Sequence, residues 1–457
     1  MPILRVYPLT DILNSCIQQG IFPDKMKIAK VCPILNGSTK DKNNYRSISI
    51  APTFSKVLEM IMADQLVSYM DKSNYFCEEQ FGFRKGRRTA DGIESFYNFI
   101  VDSLEERYWT SVEFCDLSKA FDCMCHHICT EKLKYYGVRG VALSLFTSYL
   151  TDRRQMVKCG PVSSSVLNVE QGIPQGSILG SLLFIIYMND LPKNLACHMV
   201  LYADDTCFAL KDKQEKKLEI RYQQTMQTSG SWFRANKLLL NESNCKTMTF
   251  TTSRMLPSNE VKFLGVILDN RLTWRNHCHK LNESLQSSIC AIRRVRKIIS
   301  IEAAKTVYYG LFHSRMLYAL ELWGVTCHVK EILTSQKEAL RAIEAVNSLC
   351  HCKPIFKKHR VLTVVAELIL RLVMNVANNP RYEKRSACQP YNIRSNEDLN
   401  IGKARLTSGM RKNEGVKLFN RLPIQWRNLQ QRVLRRTMKD YLRENPPYCL
   451  DEFRVEI

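Results

Sequence analysis

Two adjacent carboxylates, Asp204 and Asp205, sit inside LYADDT at 201–206. Apolar runs at 199–202 and 207–210 flank them, so the pattern predicts a hairpin with acids at its tip. Like charges that close repel each other and lose hydration, which is unfavourable unless a cation compensates. Mg²⁺ suits such a pair, because it takes a few carboxylates together with substrate phosphates. Alone, the pair would read as a plain Asp turn. It is not alone: FCDLSKAFD at 114–122 puts Asp116 at the end of a second apolar strand, 111–115. Val112, Phe114 and Asp116 share one face there by strand alternation. If the two strands are neighbours, three carboxylates meet at one sheet edge and can hold two metal ions roughly 4 Å apart. That is equipment for phosphoryl transfer, in which the protein contributes mainly positioning and charge stabilisation.

Between these segments lies QGIPQGSILGSLLF, 171–184. Gly172 and Gly176 flank a proline turn, where missing side chains let a ligand approach the backbone. Gln175 offers an amide donor and acceptor in the same turn. No GxxxxGK[ST] phosphate loop occurs anywhere, which argues against an ordinary NTPase.

The elements that must position these groups follow from hydrophobic spacing. Residues 54–70 carry apolar side chains at helical intervals, after a polar loop at 36–44. Residues 80–88 are rich in Gly, Arg and aromatics, and 89–104 read as a helix. A helix is expected from about Leu117, a charged segment at 211–217 leads into another, and 261–268 is strand-like. Beyond Trp274 the pattern turns helical and basic, with Arg293, Arg294, Arg296 and Lys297 close together.

The chain has 457 residues, enough for several domains around a large core, and 45% are hydrophobic. The net charge of +22 is spread along the sequence, which points to a polyanionic partner, nucleic acid first. The eighteen cysteines form no paired C-x-x-C, so a zinc ribbon is not expected. Cys123, Cys125, His126, His127 and Cys129 read as a chance grouping on a helix rather than a metal site, and Cys350, His351 and Cys352 likewise. With no secretory signal, reduced intracellular thiols are expected. The longest apolar run, around 178–187, is too short to span a bilayer, so no membrane segment is expected.

In this order the motifs resemble the reverse transcriptases of non-LTR retrotransposons, most like jockey-type elements of insects. NNYRSISI at 43–50 is similar to the family's NYRPISL, and EEQFGFRKGRRTAD at 78–91 to its fingers motif. FCDLSKAFD, QGIPQGSILGSLLF and YADD resemble the palm motifs, and VKFLGVILDNRLTW at 261–274 the primer grip. YYGLFHSRMLYALELWG at 308–324 and FNRLPIQWRNL at 419–429 resemble the region downstream.

The resemblance implies an α+β right-hand fold of fingers, palm and thumb, with an antiparallel palm sheet and a helical C-terminal region. The expected division is fingers at 1–110, palm at 111–275, a thumb-like helical region at 276–350 and a basic C-terminal region at 351–457. It implies Asp116, Asp204 and Asp205 as catalytic metal ligands for two Mg²⁺ ions, with Mn²⁺ as a substitute. Phe121 would be the gate that rejects a ribose 2′-hydroxyl; the competing reading is a core Phe. Gln175, Gly176 and Tyr202 would line the incoming nucleotide, and Arg46 would reach its triphosphate, where a guanidinium suits phosphate oxygens. Phe263, Leu264 and Gly265 would form the primer grip. Asp122 is expected to be structural. The implied partners are an RNA template, a DNA primer and dNTPs. The implied location is nuclear, with the cytoplasm as the alternative and secretion excluded.

Three departures stand out. Asn36 in CPILNGSTKD replaces the usual fingers lysine, Ser47 replaces a proline, and Asn244 in LNESNCKT stands where a lysine is expected, with Lys246 two residues later. The family's endonuclease domain has no counterpart ahead of the fingers, so a shortened copy is expected. A catalytically dead nucleic-acid-binding protein and a group II intron-type maturase are the competing readings.

Overall fold

The computed structural model describes residues 3–35, 45–241, 243–253, 257–379, 382–385 and 397–455. Asn36, Lys40 and Lys42 therefore lie outside the described residues, as does the side chain of Arg46. The chain divides into two units, Met1–Phe96 with Ser111–Thr247, and Tyr97–Thr110 with Met248–Ile457.

In the first unit the apolar run near 178–187 becomes the helix Ile178–Met188, buried almost all round. A helix apolar on every face belongs inside a core, and this one packs against the helix Thr53–Lys72. The helix start is fixed twice. Ser177 accepts from the Gly180 N–H, and the fully buried Glu59 carboxylate accepts from the N–H groups of Ile178 and Leu179. An acid at a helix N-terminus satisfies orphan donors and complements the dipole. Among the described residues no helix is long and apolar enough to cross a membrane.

Two sheets lie mostly within this part of the chain. β1 (Ile28–Leu35) and β2 (Tyr45–Ile50) pair antiparallel, with Ile34 opposite Arg46. β3 (Trp109–Cys115) lies in the other sheet. β4 (Arg153–Cys159) runs parallel to β1 and carries β5 (Val162–Ser163) and β6 (Leu167–Val169). β7 (His198–Tyr202) and β8 (Asp205–Asp212) form an antiparallel hairpin. With β9 (Lys246–Phe250) the second sheet has the order β7-β8-β3-β9.

Two boundaries differ from the sequence expectation. The acidic hairpin is tighter, because Asp205 already pairs with Tyr202 and only Ala203 and Asp204 remain in the turn. The helix expected from Leu117 starts later, as the short Ala120–Cys123 followed by His126–Tyr135. Lys119 has a φ of 47°, and Leu117 instead bridges to Leu240. Within the grouping at 123–129, His126 Nε2 bonds the Gly172 carbonyl at 2.6 Å.

The second unit is largely helical. The helix Arg275–Ile298 packs on Val329–Glu344, and Val364–Ala377 on Glu414–Asn420. Basic residues crowd the end of the first of these helices, where Arg293 pairs with Glu338. β10 (Glu260–Phe263) and β11 (Val266–Asp269) form a hairpin. The nearly buried Asp269 carboxylate accepts from the N–H groups of Arg271, Thr273 and Trp274, which organises the approach to the long helix.

Candidate active site

The tight β7–β8 turn carries Asp204, and Asp205 is the first residue of β8. Ala203 has a φ of 58°, in the left-handed region that disfavours any side chain. Something must hold that conformation, and the segment 79–82 does so. Leu201 N–H donates to Glu79 O at 2.9 Å, and Phe81 N–H to Leu201 O at 2.8 Å. The buried Gln80 Oε1 accepts from the Gly82 N–H at 2.8 Å and the Ala203 N–H at 3.4 Å. Thus the motif at 78–91 braces the acidic turn from behind.

Asp116 follows β3 directly. Its backbone carbonyl accepts from the Asn241 N–H, and Ser118 N–H donates to Leu239 O, so 239–241 runs beside it. The side-chain amides of Asn241 and Asn244 reach the same Asp116 oxygen. Asn244 donates to Asp116 Oδ2 at 2.9 Å and Asn241 at 3.2 Å.

Asp205 is exposed by its own surface, yet its carboxyl is pushed up to about 6. The first cause is the protein packed around it, which disfavours charge; the negative charges of Asp204 and Asp116 add to it. Asp204 and Asp116 thus both act on the charge of Asp205, and the strands β8 and β3 that carry Asp205 and lead to Asp116 are neighbours in the sheet. The three carboxylates are all hard oxygen donors, a set that suits a cation such as Mg²⁺. A positive ion among them would favour the charged form that crowding now opposes.

The 171–177 loop is tied to the segment following Asp116. Gly172 N–H donates to Met124 O and Ile173 N–H to Phe121 O, both at 2.8 Å. Gly172 has a φ of 82°, and a Cβ there would lie 2.6 Å from Asp122 O, so only glycine fits. Gln175 Nε2 donates to Asp122 Oδ1 at 3.0 Å, and its carbonyl accepts from the Ser49 N–H of β2. Asp122 thus orients the Gln175 amide. Gly176, with a φ of 104°, is exposed. Phe121 is half-buried, its ring stacked on Phe184 with centroids 4.6 Å apart. Tyr202 is half-buried at the end of β7.

Phe263 ends β10, and Leu264 and Gly265 make the β10–β11 turn, in the second unit. Leu264 and Gly265 have φ of 43° and 84°. The Tyr318 hydroxyl donates to the Leu264 carbonyl, and its ring sits against Gly265.

Gln80, Gly82, Glu59 and Asn241 were not singled out by sequence. Their contacts lie far along the chain, and no local periodicity marks them. The QFG within 78–91 was the one available signal.

Residues 38–268, half the chain, match the family described as reverse transcriptase (RNA-dependent DNA polymerase). The chain is 26% identical over 398 residues to a probable RNA-directed DNA polymerase from transposon X-element of Drosophila melanogaster, covering 80% of this chain and 43% of that protein. It is also 26% identical over 359 residues to the RNA-directed DNA polymerase from mobile element jockey of Drosophila funebris, covering 73% and 39%. It spans about two fifths of the length of these relatives. Among solved structures, a telomerase from Candida albicans aligns with a TM-score of 0.43 and 13% identity, covering 79% of this chain and 63% of that one. On the family match and the motifs it contains, the chain belongs to the reverse transcriptases, with the α+β right-hand polymerase fold of that family.

Proposed function

We propose that this chain is the RNA-directed DNA polymerase of a non-LTR retrotransposon, adding dNTPs to a primer 3′-hydroxyl on an RNA template. The observation that carries the reading is the placement of Asp205 at the start of β8, with Asp204 in the adjoining turn and β3, which leads to Asp116, as the neighbouring strand, inside the stretch that matches the family.

Dependence on a divalent metal goes with the family. We take the resident ions to be two Mg²⁺, held by the three aspartates; when bound they supply charge stabilisation for phosphoryl transfer. The chain's own residues do the placing. Asn241 and Asn244 occupy Asp116 Oδ2 and leave Oδ1 for coordination. Gln80 fixes the turn that presents Asp204 and Asp205. Gln175, oriented by Asp122, meets the nucleotide beside Gly176 and Tyr202. Phe121 excludes a 2′-hydroxyl, Arg46 binds the triphosphate, and Phe263, Leu264 and Gly265 steady the primer. In this reading fingers, palm, thumb-like and basic C-terminal regions follow the divisions 1–110, 111–275, 276–350 and 351–457. Priming at chromosomal nicks, which the family resemblance implies, would require the protein to act in the nucleus.

The test is primer extension on an RNA template with purified protein. Asp204→Asn and Asp116→Asn should abolish extension while leaving primer–template binding nearly intact, because each removes a ligand charge worth several kcal/mol at the transition state, on the order of a hundredfold or more in rate. Wild-type rates in both variants would end the assignment. A chain that grips primer–template but extends nothing with any divalent ion would instead be a binding protein, the reading that Asn36 and Asn244 favour.

A further inference from the structure

Strand alternation sends Glu113 and Cys115 to the face of β3 opposite Val112 and Phe114. There they meet Cys245, just before β9. A carboxylate oxygen of Glu113 and the two sulfurs all lie within 4.8 Å of one another. Cys115 and Glu113 are about 95% buried, and Cys245 is half-buried, which gives the group one open side.

Glu113 is in an unusual position for an acid. Among the described residues no cation forms an ion pair with it. Its partners are two hydroxyls, Thr247 Oγ1 at 2.6 Å and Tyr222 at 2.9 Å, and both donate to Oε2. Both hydroxyls bond one oxygen and so fix the carboxylate in its plane, while Oε1 keeps its acceptor capacity. A buried carboxylate without a counter-charge is costly.

We propose that Glu113, Cys115 and Cys245 bind a thiophilic divalent cation of the Zn²⁺ class, with water as the fourth ligand on the open side. Two thiolates and one carboxylate are ordinary Zn²⁺ donors, and soft sulfur discriminates against Mg²⁺. Binding displaces a proton from each thiol to solvent, and no electron is exchanged. Tyr222 and Thr247 are the outer partners that a ligating carboxylate needs. The ion would clip β3 to the segment 241–245, whose Asn241 and Asn244 hold Asp116. It is a structural clip, built on residues other than the Asp116, Asp204 and Asp205 that would hold the catalytic ions.

The experiment is a Co²⁺ titration of the full chain, stripped by chelator and kept in excess Mg²⁺. A saturable, one-to-one rise of sulfur-to-cobalt charge-transfer absorption, displaced by Zn²⁺, is expected. Cys245→Ser and Cys115→Ser should abolish it, Glu113→Gln, which removes a direct ligand's charge, should weaken binding by more than the about tenfold that loss of an outer partner can cost, and Asp204→Asn should leave it unchanged. If Cys115→Ser fails to fold, the half-buried Cys245→Ser still decides. An absent band overturns the proposal, as does a band that survives Cys245→Ser. A Cys115–Cys245 disulfide in freshly purified protein that binds no cobalt also overturns it, and makes the two a redox pair.

Discussion

Asn244 donates its side-chain amide to Asp116 Oδ2 at 2.9 Å, at the position where the family resemblance leads one to expect a lysine. An amide holds the carboxylate without neutralising it. Asn241 reaches the same oxygen, so the two share the task. Asn244→Ala should lower kcat about fivefold, the effect of losing roughly 1 kcal/mol of a hydrogen bond to a charged group at an exposed site. KM for dNTPs should stay unchanged, because the amide touches the carboxylate and not the substrate. Steady-state primer extension over a range of dNTP concentrations measures both, and an unaltered kcat would show that Asn241 suffices.

Gly82 should tolerate no side chain. A Cβ there would lie 2.6 Å from Ala203 N and 3.0 Å from the Tyr202 carbonyl carbon, both backbone atoms that cannot swing away. Gly82→Ala must push the β7–β8 turn and move Asp204 with it. Displacing a catalytic group by about 1 Å can cost on the order of a hundredfold in rate. Overpacking of this kind also destabilises by about 1–3 kcal/mol, so a few degrees of melting temperature should be lost. Extension at the wild-type rate by Gly82→Ala would show that the brace behind the turn is dispensable.

How much of this was legible follows from the range of each interaction. The three aspartates stood out because like charges beside apolar strands need a reason, and the reason is local in sequence. Helices such as Thr53–Lys72 and Thr89–Glu105 were legible because their apolar spacing repeats. The hairpin came out too loose, because Asp205 and Thr206 look like turn residues until Tyr202 and Leu201 are placed opposite them. The helix after Asp116 was set too early, since its delay depends on Leu240 pairing with Leu117. Glu59 on the helix start at Ile178 and Gln80 on Ala203 are contacts across more than a hundred residues. No single-chain pattern encodes them. The meeting of Glu113 and Cys115 on β3 with Cys245 was hidden for the same reason, because it joins residues about 130 apart in sequence.

Phe121 faces two duties, and one substitution separates them. Its ring stacks on Phe184 and is half-buried, so Phe121→Ala should lower the melting temperature through lost aromatic contact and burial. If the same ring also excludes the ribose 2′-hydroxyl, the variant should raise ribonucleotide over deoxynucleotide incorporation about tenfold or more, the discrimination available from steric bulk in a pocket. Competing-nucleotide extension gives the ratio and thermal melting gives the stability. A lower melting temperature with an unchanged ratio would assign Phe121 to the core alone.

The second unit should lose stability in mild acid through His277. This ring is buried between Trp274 and Trp323, and burial pushes its pKa down to about 4. Nδ1 lies 3.4 Å from the Ile267 N–H, from which it accepts, so the proton sits on Nε2, and a second proton on Nδ1 would break that contact. In the unfolded chain the same histidine titrates near 6.5. Above about 6.5 both states are neutral and the stability is fully present. As pH falls below that value the unfolded chain gains a proton and the native one does not, until about 4. Between pH 7 and pH 5.5 this should remove about 1 kcal/mol of stability. His277→Leu keeps an apolar side chain between the tryptophans and cannot titrate. Its melting temperature should therefore fall less than the wild type's over that interval. Parallel falls in the two proteins would mean that His277 is protonated in the native state, or that other groups carry the acid response.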